Sequence, residues 1–230
     1  RHPGSARTPA EARQITKLTA NGIRIAYLSY TFGFNGGNKY PGGQTWRANR
    51  IDVPRILADS RRARRQGAEA VVLAMHWGTE YQQTANAEQQ QVAAAVADSG
   101  AVDLIIGHHA HVVQPVQKIG RTWVVYGLGN HIANYLDASS ANPEGLLVRF
   151  TFARERKHAR GKKARVRVSK AEYVPLFMTQ KNPRRVLDIA EALRTGDYGT
   201  TTQARLRKAL RRTTTVVTSL DAQRDGLRRA

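Results

Sequence analysis

The chain has 230 residues, with 37 Lys and Arg against 17 Asp and Glu, and a formal net charge of +20. At 41% hydrophobic it is too apolar for a disordered chain and long enough to bury a core. The lack of cysteine excludes disulfides and thiolate metal sites, and no apolar run approaches the roughly 18–20 residues that span a bilayer.

Ile23–Tyr30 is the first predicted strand. Thr31–Trp46 follows as a long loop rich in Gly and Asn, placed where that strand ends; loops of this length often carry function. Pro54–Gln66 reads as a helix: Asp52 caps it, Pro54 suits its first turn, and Gly67 ends it. Arg61, Arg62, Arg64 and Arg65 are expected on its solvated face. Ala68–Met75 reads as a strand and Asn86–Ser99 as a helix with Val92 and Val96 on one face. Gly100 stops that helix, and Ala101–Ile106 is a further apolar strand. Thr122–Tyr126 and Leu146–Ala153 also read as strands, Arg154–Arg165 as a basic turn, and Val166–Leu176 as a last strand. Val186–Leu193 and Thr202–Arg212 look helical, and Ser219–Ala230 is expected to fray. The strand-helix-strand order from Ala68 to Ile106 implies parallel strands with a right-handed crossover. Both strands then end on one sheet edge.

Four of the seven histidines stand where two of these apolar runs stop. One run leads into His76-Trp77-Gly78-Thr79-Glu80-Tyr81, the other into Gly107-His108-His109-Ala110-His111. In α/β folds, ligand and metal sites gather at the carboxyl ends of strands. Two histidines one residue apart can converge on one ion when their segment is irregular, and neutral imidazole suits Zn, Mn or Fe type ions. The competing reading is that these are loop histidines that happen to be neighbours. The shared layout of the two clusters favours the metal site.

Those motifs carry a resemblance. Gly22–Gly37, Ile51–Gln91 and Gly100–Tyr135 resemble the CapA family of bacterial capsule-synthesis and poly-γ-glutamate-synthesis proteins, which is similar to the calcineurin-like metallophosphoesterases. The matching stretches are Ile25–Thr31, His76–Tyr81, Gly107–His111 and Tyr126-Gly127-Leu128-Gly129-Asn130. The two histidine motifs in this order, about thirty residues apart, are a specific pair; either alone is weak. The resemblance implies an α/β fold, a metallophosphoesterase-like layered β-sandwich flanked by helices. It implies His76, His109 and His111 as ligands to divalent metal ions, with His108 as an alternative ligand or a hydrogen-bond donor to one. Glu80 could orient an imidazole or accept a proton, or could be an ordinary solvated acid. Asn130, at a strand end, could donate to a substrate oxygen. Trp77 and Tyr81 read as packing residues, and Asp103 as a cap or surface acid.

The departures from the family pattern are as informative. The family's earlier half carries a Gly-Asp metal motif and an Asn-Asn-His motif, and neither precedes Ile15. The amino-terminal half of the domain is therefore expected to be missing, and the chain to hold at most half of the site. Gly129-Asn130-His131 looks like the phosphoesterase Gly-Asn-His motif, but it follows the His109 cluster instead of preceding His76. It reads as a coincidence at a strand-to-loop junction.

The expected division is a partial CapA-like domain over residues 1–153 and a basic carboxyl-terminal extension over residues 154–230. Residues 151–230 carry a net +14, whereas residues 71–150, with both histidine clusters, carry −3. A nucleic-acid enzyme places its basic surface around its chemistry, so no specific nucleic-acid partner is expected. The basic end suits polyanions: an acidic polymer, cell-wall phosphate or an anionic membrane surface. The competing reading is a set of Arg-decorated solvated faces. Three functions remain open. One is an extracytoplasmic, envelope-associated CapA-type protein handling an acidic capsule polymer. Another is a general metallophosphoesterase acting on small phosphoesters. The last is a non-catalytic polyanion-binding remnant. The His-Trp-Gly-x-Glu-Tyr motif favours the first over the second, and the missing motifs add weight to the last.

Overall fold

The computed structural model describes residues 2–35, 39–133, 141–155 and 164–230. A short helix α1 (Pro9–Ala12) leads into a hairpin of β1 (Thr16–Ala20) and β2 (Ile23–Thr31). An alternating run follows: α2 (Val53–Arg65), β3 (Ala70–Trp77), α3 (Ala87–Asp98) and β4 (Leu104–His109). The second half contains β5 (Val116–Ile119), β6 (Thr122–Val125), β7 (Glu144–Arg154) and β8 (Val166–Met178). It closes with β9 (Val186–Asp188), α4 (Ile189–Thr195), α5 (Gln203–Thr218) and β10 (Leu227–Arg229). Side-chain caps set the helix starts. The Asp52 carboxylate accepts from the Arg55 amide, and Asn86 with Gln89 forms a reciprocal capping box on α3.

Six strands form one sheet in the order β1-β2-β3-β4-β6-β5, with β2, β3, β4 and β6 mutually parallel. Strand alternation sends Leu28, Leu73, Met75, Ile105 and Val124 to one face, where Ile56 of α2 and Val96 of α3 cover them. The opposite face carries Tyr27, Val72, Leu104, Trp123 and Val125. A second sheet covers it, ordered β10-β8-β7 with β9 also paired to β8. Leu146, Phe150, Tyr173 and Leu227 fill the space between the sheets, joined by Val217 of α5. The molecule is thus a mixed α/β sandwich, with helices on one face and a second sheet on the other. This burial on both sides explains why β3 reads as an unbroken apolar run.

Several expectations are corrected. β1 and β5 are strands that apolar periodicity does not predict, since both are short and lie at sheet edges. Val186–Leu193 divides into β9 and the start of α4, because Asp188 caps the helix by accepting from the Ala190 and Glu191 amides. α5 runs to Thr218, six residues beyond the expected end at Arg212. Ser219–Ala230 is docked and does not fray: Ala222 is buried, and Leu227–Arg229 pairs in parallel with Ala171–Tyr173. β7 and β8 pair from Glu144↔Phe177 to Arg154↔Val166, so a boundary after residue 153 falls inside a hairpin. Most of the expected basic turn at Arg154–Arg165 lies outside the described residues. No helix among the described residues is long and apolar enough to cross a membrane.

Charged groups stitch the layers together. Asp103 is neither a cap nor a surface acid. Its carboxylate accepts from the Val71 amide at 2.7 Å and from Arg64 at 2.5 Å. Arg64 also donates to the Ala101 and Glu69 carbonyls, so it leaves the expected solvated face. Glu69 receives Arg154 from β7, and its hydrogen bonds to that side chain and to the Arg24 amide hold its carboxyl at about 2. Arg149 and Lys170 hold Glu172 at about 2 as well. Both carboxylates are depressed from an ordinary 4.5, so their contribution is present above about 4.5 and is lost as pH falls toward about 2. The urea midpoint of the protein should therefore drop between about pH 5 and pH 2, and Glu172→Gln should flatten that slope. An unchanged acid limb in Glu172→Gln would contradict the assignment.

Candidate functional site

Three neighbouring parallel strands finish at the same sheet edge. The register places Thr31 beside His76, His76 beside His108, and Trp77 beside His109. The His76 and His109 rings are 4.6 Å apart between centroids, and His109 and His111 are 6.4 Å apart. Glu80 points its carboxylate between the last two, with Oε1 4.0 Å from His109 Nδ1 and 3.9 Å from His111 Nε2. Phe32, just past the end of β2, stacks on His76 at 5.9 Å and lies 4.6 Å from His109. Tyr81 stacks on His111 at 5.9 Å. It is 60% exposed, so it caps the cluster and does not pack in the core as expected. His108 reaches solvent outside this group of rings and feels the charge of His131.

The loops that hold the cluster carry unusual backbone. Tyr81, His109 and His111 have φ of 63°, 95° and 57°, the left-handed region that non-glycine residues seldom occupy. Such conformations persist only where surrounding structure enforces them, and they concentrate at functional sites. The Tyr81 amide donates to the Ala110 carbonyl at 2.8 Å, joining the two histidine loops directly. Beneath them, Gln89 and Gln114 are buried and hydrogen-bonded at 2.8 Å. Gln114 also donates to the Gln82 and Thr84 carbonyls, so α3 and the loop after His111 both grip the loop that carries Glu80. Trp77 packs inward as expected, its indole donating to the Tyr126 carbonyl at 2.9 Å. Gly107 is required here: a Cβ would collide with that carbonyl and with the indole.

Asn130 acts on His111 from below. Its Nδ2 donates to the His111 carbonyl at 3.1 Å and the Asn142 carbonyl at 3.2 Å. That leaves Oδ1, 2.9 Å from His111 Nδ1, as the acceptor of the ring proton. His111 Nε2 then keeps its lone pair and faces Glu80. Asn130 reaches this position because its segment crosses between the sheets. The Leu128 amide donates to Gly107, and Gly129 bridges Gly145. His131 is engaged with the Leu146 carbonyl at 3.0 Å, so Gly129-Asn130-His131 serves here as a junction.

Partial desolvation by the surrounding protein lowers the proton affinity of His76, His108 and His109, although His76 and His108 remain solvent-accessible, and the neighbouring imidazoles lower it further for His76. Three imidazoles and a nearby carboxylate are donors of the type that suits Mn, Zn or Fe ions. Among the described residues, no three His, Asp or Glu side chains are grouped to hold an ion as they stand. The sequence expectations included five of the residues now found together, His76, Glu80, His109, His111 and Asn130. They missed Phe32, whose only signal was its place directly after a strand that ends at this edge. They also missed the Gln89–Gln114 pair, for which the sequence offers no signal.

Removing the Asn130 acceptor should release the His111 tautomer. Long-range proton–nitrogen spectra should show His111 protonated at Nδ1 in the parent and shifted toward Nε2 in Asn130→Ala, with Asn130→Asp keeping the parent form. Identical spectra for parent and Asn130→Ala would refute the assignment.

The family described as "Bacterial capsule synthesis protein PGA_cap" matches residues 1–135, a span that includes both histidine clusters. The chain is 35% identical over 124 residues to the PGA biosynthesis protein CapA of Bacillus subtilis (strain 168), covering 52% of this chain and 31% of that protein. It is 30% identical over 126 residues to the capsule biosynthesis protein CapA of Bacillus anthracis, covering 53% and 30%. It thus spans about a third of the length of these relatives. A calcineurin-like phosphoesterase from Bacillus subtilis, YfkN, superposes on it with a TM-score of 0.41 at 15% identity, over 88% of this chain and 56% of that one. By the extent of the family match, this chain belongs to the bacterial capsule synthesis protein family.

Proposed function

We propose that this chain is the part of a CapA-type capsule-biosynthesis protein that carries one side of a metal-dependent, phosphoesterase-like site. The observation that supports this most is the convergence of His76 and His109 at one sheet edge, with His111 held beside them by Asn130. His76, His109 and His111 would hold a divalent ion of Mn, Zn or Fe type, with further ligands from the family's Gly-Asp and Asn-Asn-His motifs. Such an ion, when bound, polarises a phosphoryl oxygen and lowers the pKa of bound water. The chain's own residues have separate tasks. Low proton affinity keeps His76 and His109 neutral at physiological pH, the form that presents a lone pair. Asn130 orients His111, while Phe32 shields the faces of two imidazoles from water. Glu80 lies within electrostatic reach of two rings and would take up a proton released nearby. The substrate would be an acidic capsule polymer of the poly-γ-glutamate kind or a phosphoester, handled at the cell envelope.

Because no His, Asp or Glu group among the described residues is placed to hold an ion as it stands, this chain by itself should bind Mn or Zn weakly and hydrolyse phosphoesters poorly. Calorimetric titration should show weak binding that disappears in the His76→Ala/His109→Ala double variant. Robust metal-dependent turnover by this chain, abolished by His109→Ala, would show that its site is already sufficient. Metal binding unaffected by the double variant would remove the histidines from the site.

A second reading is favoured by the net +14 over residues 151–230: attraction of polyanions through charge alone. Since β8 and β10 are integral to the sandwich, the test is neutralisation on α5 and not truncation. Lys208→Ala/Arg211→Ala should elute earlier from a polyglutamate column, and the difference should shrink as salt screens charges beyond roughly 8–10 Å. Equal retention at low salt would remove α5 from this reading.

A further inference from the structure

The edge of the large sheet opposite the histidines has a different character. Arg24 near the start of β2, Arg64 near the end of α2, Arg121 in the β5–β6 turn, Arg154 at the end of β7 and Arg165 just before β8 all line one cavity of about 680 Å3. They come from five separate elements, brought together only by the tertiary fold. Two carboxylates, Glu69 and Asp103, share the lining. Their ion pairs account for three of the arginines: Glu69 engages Arg24 and Arg154, and Asp103 engages Arg64. Arg121 and Arg165 are exposed, and among the described residues neither has a carboxylate within ion-pair distance.

A cluster built only to join the layers would need no further cations, and like charges facing one cavity repel. Among the described residues, the lining carries five guanidinium groups against two carboxylates. Arginine differs from lysine in presenting a planar fork of donors that grips an oxyanion through two parallel hydrogen bonds. A concave surface lined by one sign of charge also concentrates counter-ions. The volume falls within the range of small-molecule sites, about 300–1,000 Å3.

The geometry points to an anion-binding site at this edge, taking a small phosphate-type oxyanion with two or more negative charges, held by Arg121 and Arg165 above the Glu69 and Asp103 ion pairs. The stitched arginines form the fixed floor, and Arg121 and Arg165, which have no ion pair among the described residues, supply the grip. This site is independent of the histidine cluster, which lies at the other ends of the same strands.

The test is calorimetric titration of the whole metal-free chain with pyrophosphate at constant ionic strength. Saturable binding tighter than about 1 mM is expected. Arg121→Ala/Arg165→Ala should weaken it by about tenfold or more while leaving the melting temperature near that of the parent, because both side chains are exposed. Arg13→Ala/Arg61→Ala, which removes equal charge from exposed positions outside the cavity, should leave it unchanged. So should His76→Ala/His109→Ala, so failure of the phosphoesterase-like reading is separable from failure of this one. No saturable binding, an unaltered affinity in the Arg121/Arg165 variant, or an equal loss in the Arg13/Arg61 variant would each overturn the inference.

Discussion

The register of β3 against β4 is the constraint on which the site depends. It is set at the far end of the strands, where Val71 and Asp103 exchange two hydrogen bonds. The Asp103 amide donates to the Val71 carbonyl at 2.9 Å, and the Val71 amide donates to the Asp103 carboxylate at 2.7 Å. Arg64 neutralises that carboxylate and fixes α2 to the same point. In a parallel ladder each pairing follows from the one before, and a slip by one residue turns every side chain to the other face. Once Val72 lies beside Leu104, His76 lies beside His108 and Trp77 beside His109. The histidines are therefore positioned by an ion pair several residues away.

The second sheet completes this arrangement from the other side. The chain leaves β6, passes through Leu128 and Gly129, and enters β7, so the segment that joins the sheets also delivers Asn130 beneath His111. β8 and β10 bury Tyr173 and Leu227 against the large sheet, and α5 adds Val217. The basic end of the chain is thus part of the structural body. Among the described residues, most of its positive charges are exposed on elements whose inner faces build the core. One pair reaches inward: Arg212 meets the buried Glu144 at 2.5 Å, tying α5 to the start of β7.

The two edges of the large sheet differ in electrostatic design. At the carboxyl ends, desolvation lowers the proton affinity of His76 and His109, and left-handed backbone shapes the loops that carry His109 and His111. At the amino ends, permanent guanidinium charges gather around two carboxylates. Neutral nitrogen donors suit a cation, and fixed cationic forks suit an anion. One sheet thereby carries imidazoles at one end of its strands and guanidinium groups at the other.

Much of this was legible in the sequence, because the signals are local. Asp52 and Asn86 announce helix starts through caps that their own neighbours satisfy. The apolar runs before His76 and His108 announce buried strands, and their order along the chain implies a common edge. β1, whose residues are weakly apolar, was not expected; it pairs with β2 across a turn in which Asn21 and Gly22 both take positive φ. Local patterns along the chain thus specify the central elements and place histidines at their ends. The remaining roles come from contacts between distant parts of the chain. Tyr81 caps the cluster instead of packing because the Ala110 carbonyl holds its backbone in a left-handed turn. Asp103 is a clamp because Arg64, distant in sequence, folds back onto it. The carboxyl-terminal residues are a strand because β8 offers an open edge beside a shared apolar core. These roles depend on partners far along the chain, and no local pattern of propensity or periodicity encodes which distant group will arrive.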